Sequence, residues 1–181
     1  MSEALPYRAT AAGATYDELV RMPVSVLLDN VRSAYNVGAF FRTLDAVGGS
    51  RIYLGGITPG PAHRGVAKTA LGAEATLPWS ATSDASSLLD GLRANGVTIA
   101  AIETSLTAVD LFDWQPSFPI CVLFGHEVDG IAPTLMARAD VHVRLPMLGR
   151  KQSLNVATAG GVVLYELLRK YRAARHPNRS A

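Results

Sequence analysis

Short apolar runs alternate with helical patterns along this chain, and that alternation limits its possible folds more than any other feature. Residues 120–124 form a continuous run, Ile-Cys-Val-Leu-Phe, which Gly125 follows at once. Runs of this kind without polar alternation indicate strands buried on both faces, and helices between them favour a mostly parallel sheet covered on both sides. The predicted class is therefore α/β. The predicted strands cover residues 24–28, 51–54, 97–102, 120–124 and 141–145.

The segments between these runs carry helical spacing and helix caps. Val37, Phe40, Phe41 and Leu44 recur every three or four residues, and Gly48-Gly49 ends the pattern. The predicted helices cover residues 36–47, 64–71, 84–92 and a final stretch from Ser153 or Asn155 to about Arg172, with a Gly- and Pro-rich loop at 55–65.

Composition is that of one globular domain, 49% hydrophobic and 18% charged. We expect a single domain over residues 1–181, with a core of about 22–172, a short flexible N-terminus and a basic C-terminal tail. Cys121 is the one cysteine, which excludes an internal disulfide framework. With neither a secretion signal nor a membrane-length apolar run in the sequence, the expected location is the cytoplasm.

Polar and glycine-containing segments follow three of the predicted strands, at residues 29–42, 124–131 and 145–157. Ligands of parallel sheets bind beyond the carboxyl ends of the strands, so these segments are the candidate site. Asn36 can cap a helix, and Arg42 can reach a phosphate or a developing oxyanion. The alternatives are structural: Asn36 and Ser153 as plain caps, Arg42 in a surface ion pair, and residues 125–130 as an ordinary turn.

Together the three segments resemble the motifs of the SpoU/TrmH branch of the SPOUT RNA methyltransferases. The resemblance runs from about Val24 to Tyr165, in the order and with the spacing of that family. One departure is Ala34-Tyr35, where members often carry a proline just before the asparagine. The matching residues are Asn36-x-Gly38-x-x-x-Arg42, Lys68 to Ala73, Gly125-x-Glu127-x-x-Gly130, and Pro146-Met147-x-Gly149 through Ser153-Leu154-Asn155-Val156.

The resemblance implies a sheet whose C-terminal part forms a deep trefoil knot, and a homodimer built through the final helix and the knot region. It also implies S-adenosylmethionine as the cofactor. No metal is expected, because His63, His126, His142 and His176 show no metal-ligand spacing. By position, the implied cofactor-binding residues are Glu103, Thr104, Leu123, Gly125, Ile131, Leu145, Met147, Ser153 and Leu154.

The implied reaction is methyl transfer to a ribose 2′-hydroxyl of an RNA substrate, tRNA slightly favoured over rRNA. The implied catalytic residues are Arg42, Asn36, Glu127 and Asn155. Because a guanidinium essentially never loses its proton in a protein, we assign Arg42 to stabilising the emerging alkoxide and holding the adjacent phosphate. Asn36 and Asn155 would orient substrate and loop, and Glu127 would either anchor Arg42 or the substrate, or stabilise its turn.

Three other functions stay open at this stage: methylation of a base nitrogen on the same fold, RNA binding without catalysis and, more weakly, a nicotinamide oxidoreductase. The oxidoreductase is disfavoured because the sequence has no Gly-x-Gly-x-x-Gly after the first strand. Cys121 is expected in the core, and Trp79 and Trp114 either stack on RNA or pack inside. Basic residues at 150–151 and 169–179 either contact phosphates or are solvated.

Overall fold

The computed structural model describes residues 21–175, and within them a seven-stranded sheet has the order β3-β2-β1-β6-β4-β7-β5. All strand pairs are parallel. The expected flexible N-terminus and the end of the basic tail lie outside this range. The strands are β1 Val24–Asp29, β2 Arg51–Gly55, β3 Trp79–Thr82, β4 Thr98–Ile102, β5 Val109–Asp110, β6 Ile120–Phe124 and β7 Val141–Arg144. The helices are α1 Ala34–Ala46, α2 Arg64–Ala70, α3 Ala73–Thr76, α4 Ala85–Ala94, α5 Pro133–Met136 and α6 Val156–Arg175.

Helices cover both faces of the sheet, which confirms the predicted class. The central strands β1 and β6 are buried along their whole length. On one face the core joins the sheet to α1, α2, α3 and α6, and on the other a smaller cluster joins it to α4 and α5. Cys121 lies fully buried in the smaller cluster, where burial raises the pKa of its thiol to about 12. It is therefore a core residue, as expected. None of the described helices is both long and apolar enough to cross a bilayer.

The sequence prediction missed four short elements, β3, β5, α3 and α5, which have two to four residues each. Such elements are too short to show a period of 2.0 or 3.6 residues. β3 and β5 also form the two edges of the sheet, where strands need no continuous apolar run. Trp79 is half-exposed on edge strand β3, whereas Trp114 is buried in the larger core cluster.

A buried lysine on α6 bonds that helix to residues 111–119, the segment between β5 and β6. The Lys170 ammonium donates to the carbonyl oxygens of Leu111 at 2.7 Å and Phe112 at 3.3 Å, and to that of Trp114. Its charge faces Glu166 at 3.4 Å. A buried cation is stable only when its donors are satisfied, and these carbonyls satisfy them.

We expect Lys170→Met to lower the free energy of unfolding by about 3 kcal/mol, because it leaves buried carbonyls unpaired. Urea unfolding measures this. The matched control is Arg169→Met, one residue earlier on the same helix, where the guanidinium is exposed and, among residues 21–175, pairs with Glu166 alone. Because an exposed guanidinium contributes little to stability, this variant should lose much less. Equal losses for the two variants would contradict the assigned role of Lys170.

Candidate functional site

The carboxyl ends of β4, β6 and β7 open into a cavity of about 250 Å³. The loops that follow these strands form its walls, and the first turns of α6 close one side. A ligand site is expected at this edge of a parallel sheet. The lining residues are Ile102, Glu103, Thr104, Phe124, Gly125, His126, Glu127, Val128, Gly130, Val143, Arg144, Leu145, Met147, Gln152, Ser153, Leu154, Asn155, Val156 and Ala159.

A chain of side-chain hydrogen bonds joins the three polar segments beside this cavity. The Asn155 amide donates to the Asn36 side-chain oxygen at 3.2 Å, and the Asn36 amide donates to Glu127 at 3.1 Å. Asn155 also caps α6, since its side-chain oxygen accepts from the amides of Ala157 and Thr158. The segments after β1, β6 and β7 therefore meet at one point.

Glu127 holds the start of α1 rather than a cation. Its carboxylate accepts from the backbone amides of Arg32 and Ser33, each at 3.0 Å, as well as from Asn36. Partial burial alone would raise the pKa of Glu127, but these hydrogen bonds outweigh it, and the pKa lies below its ordinary value of 4.5. Glu127 therefore positions the segment before α1 and the Asn36 side chain, and it makes no contact with Arg42 in the described residues.

The lowered pKa of Glu127 predicts a pH-dependent stabilisation. A carboxyl group with a depressed pKa stabilises the fold above its unfolded pKa, near 4.5, and this contribution is lost as pH falls through the folded value. We expect the wild type to be more stable than Glu127→Gln at about pH 6, and the difference to shrink at about pH 3. Thermal unfolding at both pH values measures it. A difference that does not change with pH would contradict this role.

The loop after β6 is closely packed and internally bonded. A Cβ on Gly125 would overlap the backbone of Gly130, so no larger residue fits there without a shift. Glu103 braces the loop from β4, because its carboxylate accepts from the amides of Ile131 at 3.2 Å and Thr104 at 2.9 Å. The His126 Nδ1 atom accepts from the amides of Val128 and Asp129. The same nitrogen lies 3.1 Å from the Asp129 carboxylate, so these contacts hold the ring within its own turn.

The backbone of the loop between β7 and α6 has unused hydrogen-bond donors and acceptors. No hydrogen bond joins the backbone of residues 146–154 to any other residue within 21–175. Met147 and Leu154 add apolar side chains to the same wall of the cavity. The loop therefore offers a ligand both backbone donors and acceptors and an apolar surface. The described residues hold no group of His, Cys, Asp and Glu side chains placed to bind a metal ion.

Most of the residues predicted from the sequence meet at this cavity. Leu123 and Ile131 are the exceptions among the cofactor positions, since both side chains are buried in the core of the opposite face. The sequence reasoning did not assign His126, Val128, Arg144 or Gln152 to the site, although three of them lie within the quoted segments. The predicted residues that line the cavity are Glu103, Thr104, Gly125, Glu127, Leu145, Met147, Ser153, Leu154 and Asn155, and Asn36 contacts it through Asn155.

Arg42 lies apart from this cluster. It is exposed on α1, is not among the lining residues, and makes no hydrogen bond or ion pair within residues 21–175. Six residues of α-helix separate it from Asn36, which corresponds to about 9 Å along the axis and about 120° around it. Its guanidinium therefore points away from the side that Asn36 turns to Asn155.

The fold and the cavity define an α/β protein with a ligand site at the carboxyl edge of a parallel sheet. Residues 23–165 match the SpoU rRNA methylase family, and the chain belongs to that family. This confirms the resemblance on which the sequence analysis relied.

Proteins similar to this chain include enzymes that modify tRNA and others that methylate rRNA. The tRNA (guanosine(18)-2′-O)-methyltransferase of Escherichia coli strain K12 is 32% identical over 151 residues, which cover 83% of this chain and 65% of that protein. The TrmH/SpoU tRNA modifying enzyme of A. aeolicus has a TM-score of 0.78 at 28% identity, over 86% of this chain and 79% of that one. An AdoMet-bound rRNA methyltransferase from Sinorhizobium meliloti has a TM-score of 0.77 at 30% identity, over 86% of this chain and 60% of that one.

Proposed function

We propose that this protein is an S-adenosylmethionine-dependent methyltransferase that acts on a ribose 2′-hydroxyl of RNA. The observation that carries the proposal is the hydrogen-bonded chain Glu127–Asn36–Asn155, which gathers the three polar segments at the mouth of the cavity. Family membership and the similarity to tRNA and rRNA 2′-O-methyltransferases support the same reaction. tRNA and rRNA are both candidate substrates.

The cavity fits the proposed cofactor. An adenosyl group needs an apolar slot with polar groups at its edge, and the loop of residues 145–155 provides Met147, Leu154 and a backbone with unused donors and acceptors. Glu103 and Gly125 hold the facing wall in place. When bound, S-adenosylmethionine supplies an electrophilic methyl group. The protein's part is then to align a ribose oxygen with that group and to stabilise its developing charge.

The hydrogen bonds at the mouth of the cavity indicate that its polar residues orient the substrate and do not remove the proton of the ribose hydroxyl. Both carboxylate oxygens of Glu127 already accept from backbone or side-chain donors, and its lowered pKa makes it a weak base. His126 Nδ1 is occupied by two backbone amides. We therefore assign Asn36 and Asn155 to orienting the substrate, and the proton to the neighbouring RNA phosphate or to water.

Arg42 acts in this proposal as a cation supplied by a second copy of the chain. The Arg42 guanidinium is exposed on α1 and does not line the cavity of its own chain, so it is available to enter the cavity of a partner. The exposed apolar side chains Val162 and Tyr165 on α6 support a homodimer through that helix. In this assembly Arg42 stabilises the alkoxide and contacts the adjacent phosphate.

We also propose the trefoil knot and a cytoplasmic location. The knot is supported by the segment from β5 to β6, which returns across the face that α6 covers and is bonded to Lys170 of that helix. Phe118 of this segment packs on Tyr171 with ring centroids 5.1 Å apart. The cytoplasmic location is supported by the similarity to an enzyme that methylates tRNA.

The test is transfer of labelled methyl groups from S-adenosylmethionine into total tRNA and total rRNA, followed by alkaline hydrolysis. A 2′-O-methyl group blocks cleavage of the following phosphodiester, so the label should appear in alkali-resistant dinucleotides. Label in single nucleotides would identify a base methyltransferase instead. RNA binding without transfer of label would identify a binding module, and either result would overturn the proposal.

A further inference from the structure

An exposed tyrosine on α1 and a lysine on α2 form a cationic aromatic surface. The Lys68 ammonium lies over the Tyr35 ring, 5.7 Å from its centroid, and the ring is 54% exposed. Arg32 and Arg64 are exposed in the same region of the chain, at the starts of these two helices. We call Arg32, Tyr35, Arg64 and Lys68 the α1–α2 face.

The segments that form this face contain basic residues and almost no acidic ones. Residues 30–44 and 46–73 contain no aspartate or glutamate, and Asp45 between them is half-buried. Glu127 contacts the start of α1, but it already accepts three hydrogen bonds. A surface of this charge suits a polyanion far better than an acidic or neutral protein segment.

The Tyr35 ring is held on a rigid support. Its backbone oxygen accepts from the Thr69 hydroxyl at 2.9 Å, which ties α1 to α2. A Cβ on Gly38 would overlap Thr69 and the Val66 carbonyl, so glycine allows the two helices to approach this closely. A preorganised ring loses little entropy when a planar group stacks on it.

The ring lies on the same side of α1 as Arg42. Seven residues of α-helix separate the two, which corresponds to about 20° around the axis and about 10 Å along it. A nucleotide stacked on Tyr35 therefore lies on the side of α1 from which Arg42 is proposed to contact the target ribose.

We propose that the α1–α2 face binds the RNA strand next to the methylated nucleotide. Tyr35 stacks on a neighbouring unpaired base, while Lys68 and Arg64 contact its phosphates. This inference rests on the proposed function and adds to it a requirement for an unstacked base beside the target. A second copy of the chain is the competing occupant of this face.

The experiment measures binding of a fluorescently labelled, single-stranded RNA of about 20 nucleotides by anisotropy. Tyr35→Ala should weaken binding roughly tenfold, whereas Tyr35→Phe, which keeps the ring, should stay within about twofold of the wild type. Lys68→Gln should weaken binding and reduce the salt dependence by about one phosphate contact. The affinity for S-adenosylmethionine should be unchanged in all three variants.

The matched control is Arg51→Gln. Arg51 also lies over a tyrosine ring, 6.0 Å from the centroid of Tyr53, but at the amino end of β2, away from the cavity. It should not change RNA affinity.

Wild-type RNA affinity in Tyr35→Ala would overturn the inference, as would a change of oligomeric state with no loss of RNA affinity per dimer. Equal effects of Lys68→Gln and Arg51→Gln would also overturn it. Failure of the wild type to transfer methyl groups, with these binding differences intact, would refute the proposed reaction and not the RNA surface.

Discussion

Replacing Arg42 with glutamine is expected to lower the rate of methyl transfer about a hundredfold or more, while the protein stays folded and binds S-adenosylmethionine normally. The size follows from losing one charged donor to a developing oxyanion. Arg42 is exposed and unpaired among the described residues, so its removal should cost little stability. Single-turnover methyl transfer at saturating RNA measures the rate separately from RNA affinity.

Two further variants define what Arg42 contributes. Arg42→Lys keeps the charge but loses the planar fork that can contact an alkoxide and a phosphate together, so it should remain clearly impaired. Arg93→Gln is the charge control, because Arg93 pairs with Asp140 at 2.9 Å and belongs to α4 on the opposite face of the sheet. Nearly full activity of Arg42→Lys with normal RNA affinity would contradict a specific role for the guanidinium.

The second large effect is expected at Gly125. A methyl group there would overlap the Gly130 carbonyl and the Ile131 amide, which are backbone atoms and cannot rotate away. Gly125→Ala should therefore displace the loop of residues 125–131 and weaken binding of S-adenosylmethionine roughly tenfold to a hundredfold. Isothermal titration calorimetry with the cofactor measures the change.

The matched control for this loop is Gly149→Ala. Gly149 belongs to the other wall-forming loop, and within residues 21–175 no atom beyond its chain neighbours lies within 4 Å of the Cβ that alanine would add. It should bind the cofactor within about twofold of the wild type. If Gly125→Ala retained the affinity of Gly149→Ala, the cavity would not be the cofactor site.

The central strands could be predicted because burial on both faces leaves a continuous apolar run. β6 begins and ends where the sequence predicts, and β1, β2, β4 and β7 differ by one residue at an end. The edge strands β3 and β5 could not be predicted in this way, because β3 is half-exposed and β5 has only two residues. Strand pairing, not local pattern, defines them.

The candidate site could be predicted as segments but not as contacts. Asn36 and Asn155 are 119 residues apart in sequence, so no local spacing reveals their hydrogen bond. The hydrogen bonds of Glu127 to the amides just before α1 are likewise visible only in three dimensions. The N-cap of α1 is Ser33 and not Asn36, because the helix begins at Ala34, two residues earlier than predicted. Arg42 shows the reverse case: it belongs to the same motif as Asn36, yet the helix turns its side chain away. No role was predicted for His126, because the histidines show no metal-ligand spacing. In the structure its ring accepts hydrogen bonds from backbone amides of the loop after β6.

Mixing two impaired variants, at a cofactor concentration well below the Kd of Gly125→Ala, tests most directly whether a guanidinium and a methyl donor from different copies converge on one ribose oxygen. Arg42→Gln keeps an intact cavity, and Gly125→Ala keeps Arg42. If the site is shared, co-refolded mixtures should regain about a quarter of wild-type 2′-O-methylation, because about half the dimers are mixed and each has one complete site. If the mixture stays as inactive as its parents while mixed dimers form, Arg42 and the cavity do not act across two copies, and the proposed mechanism is wrong.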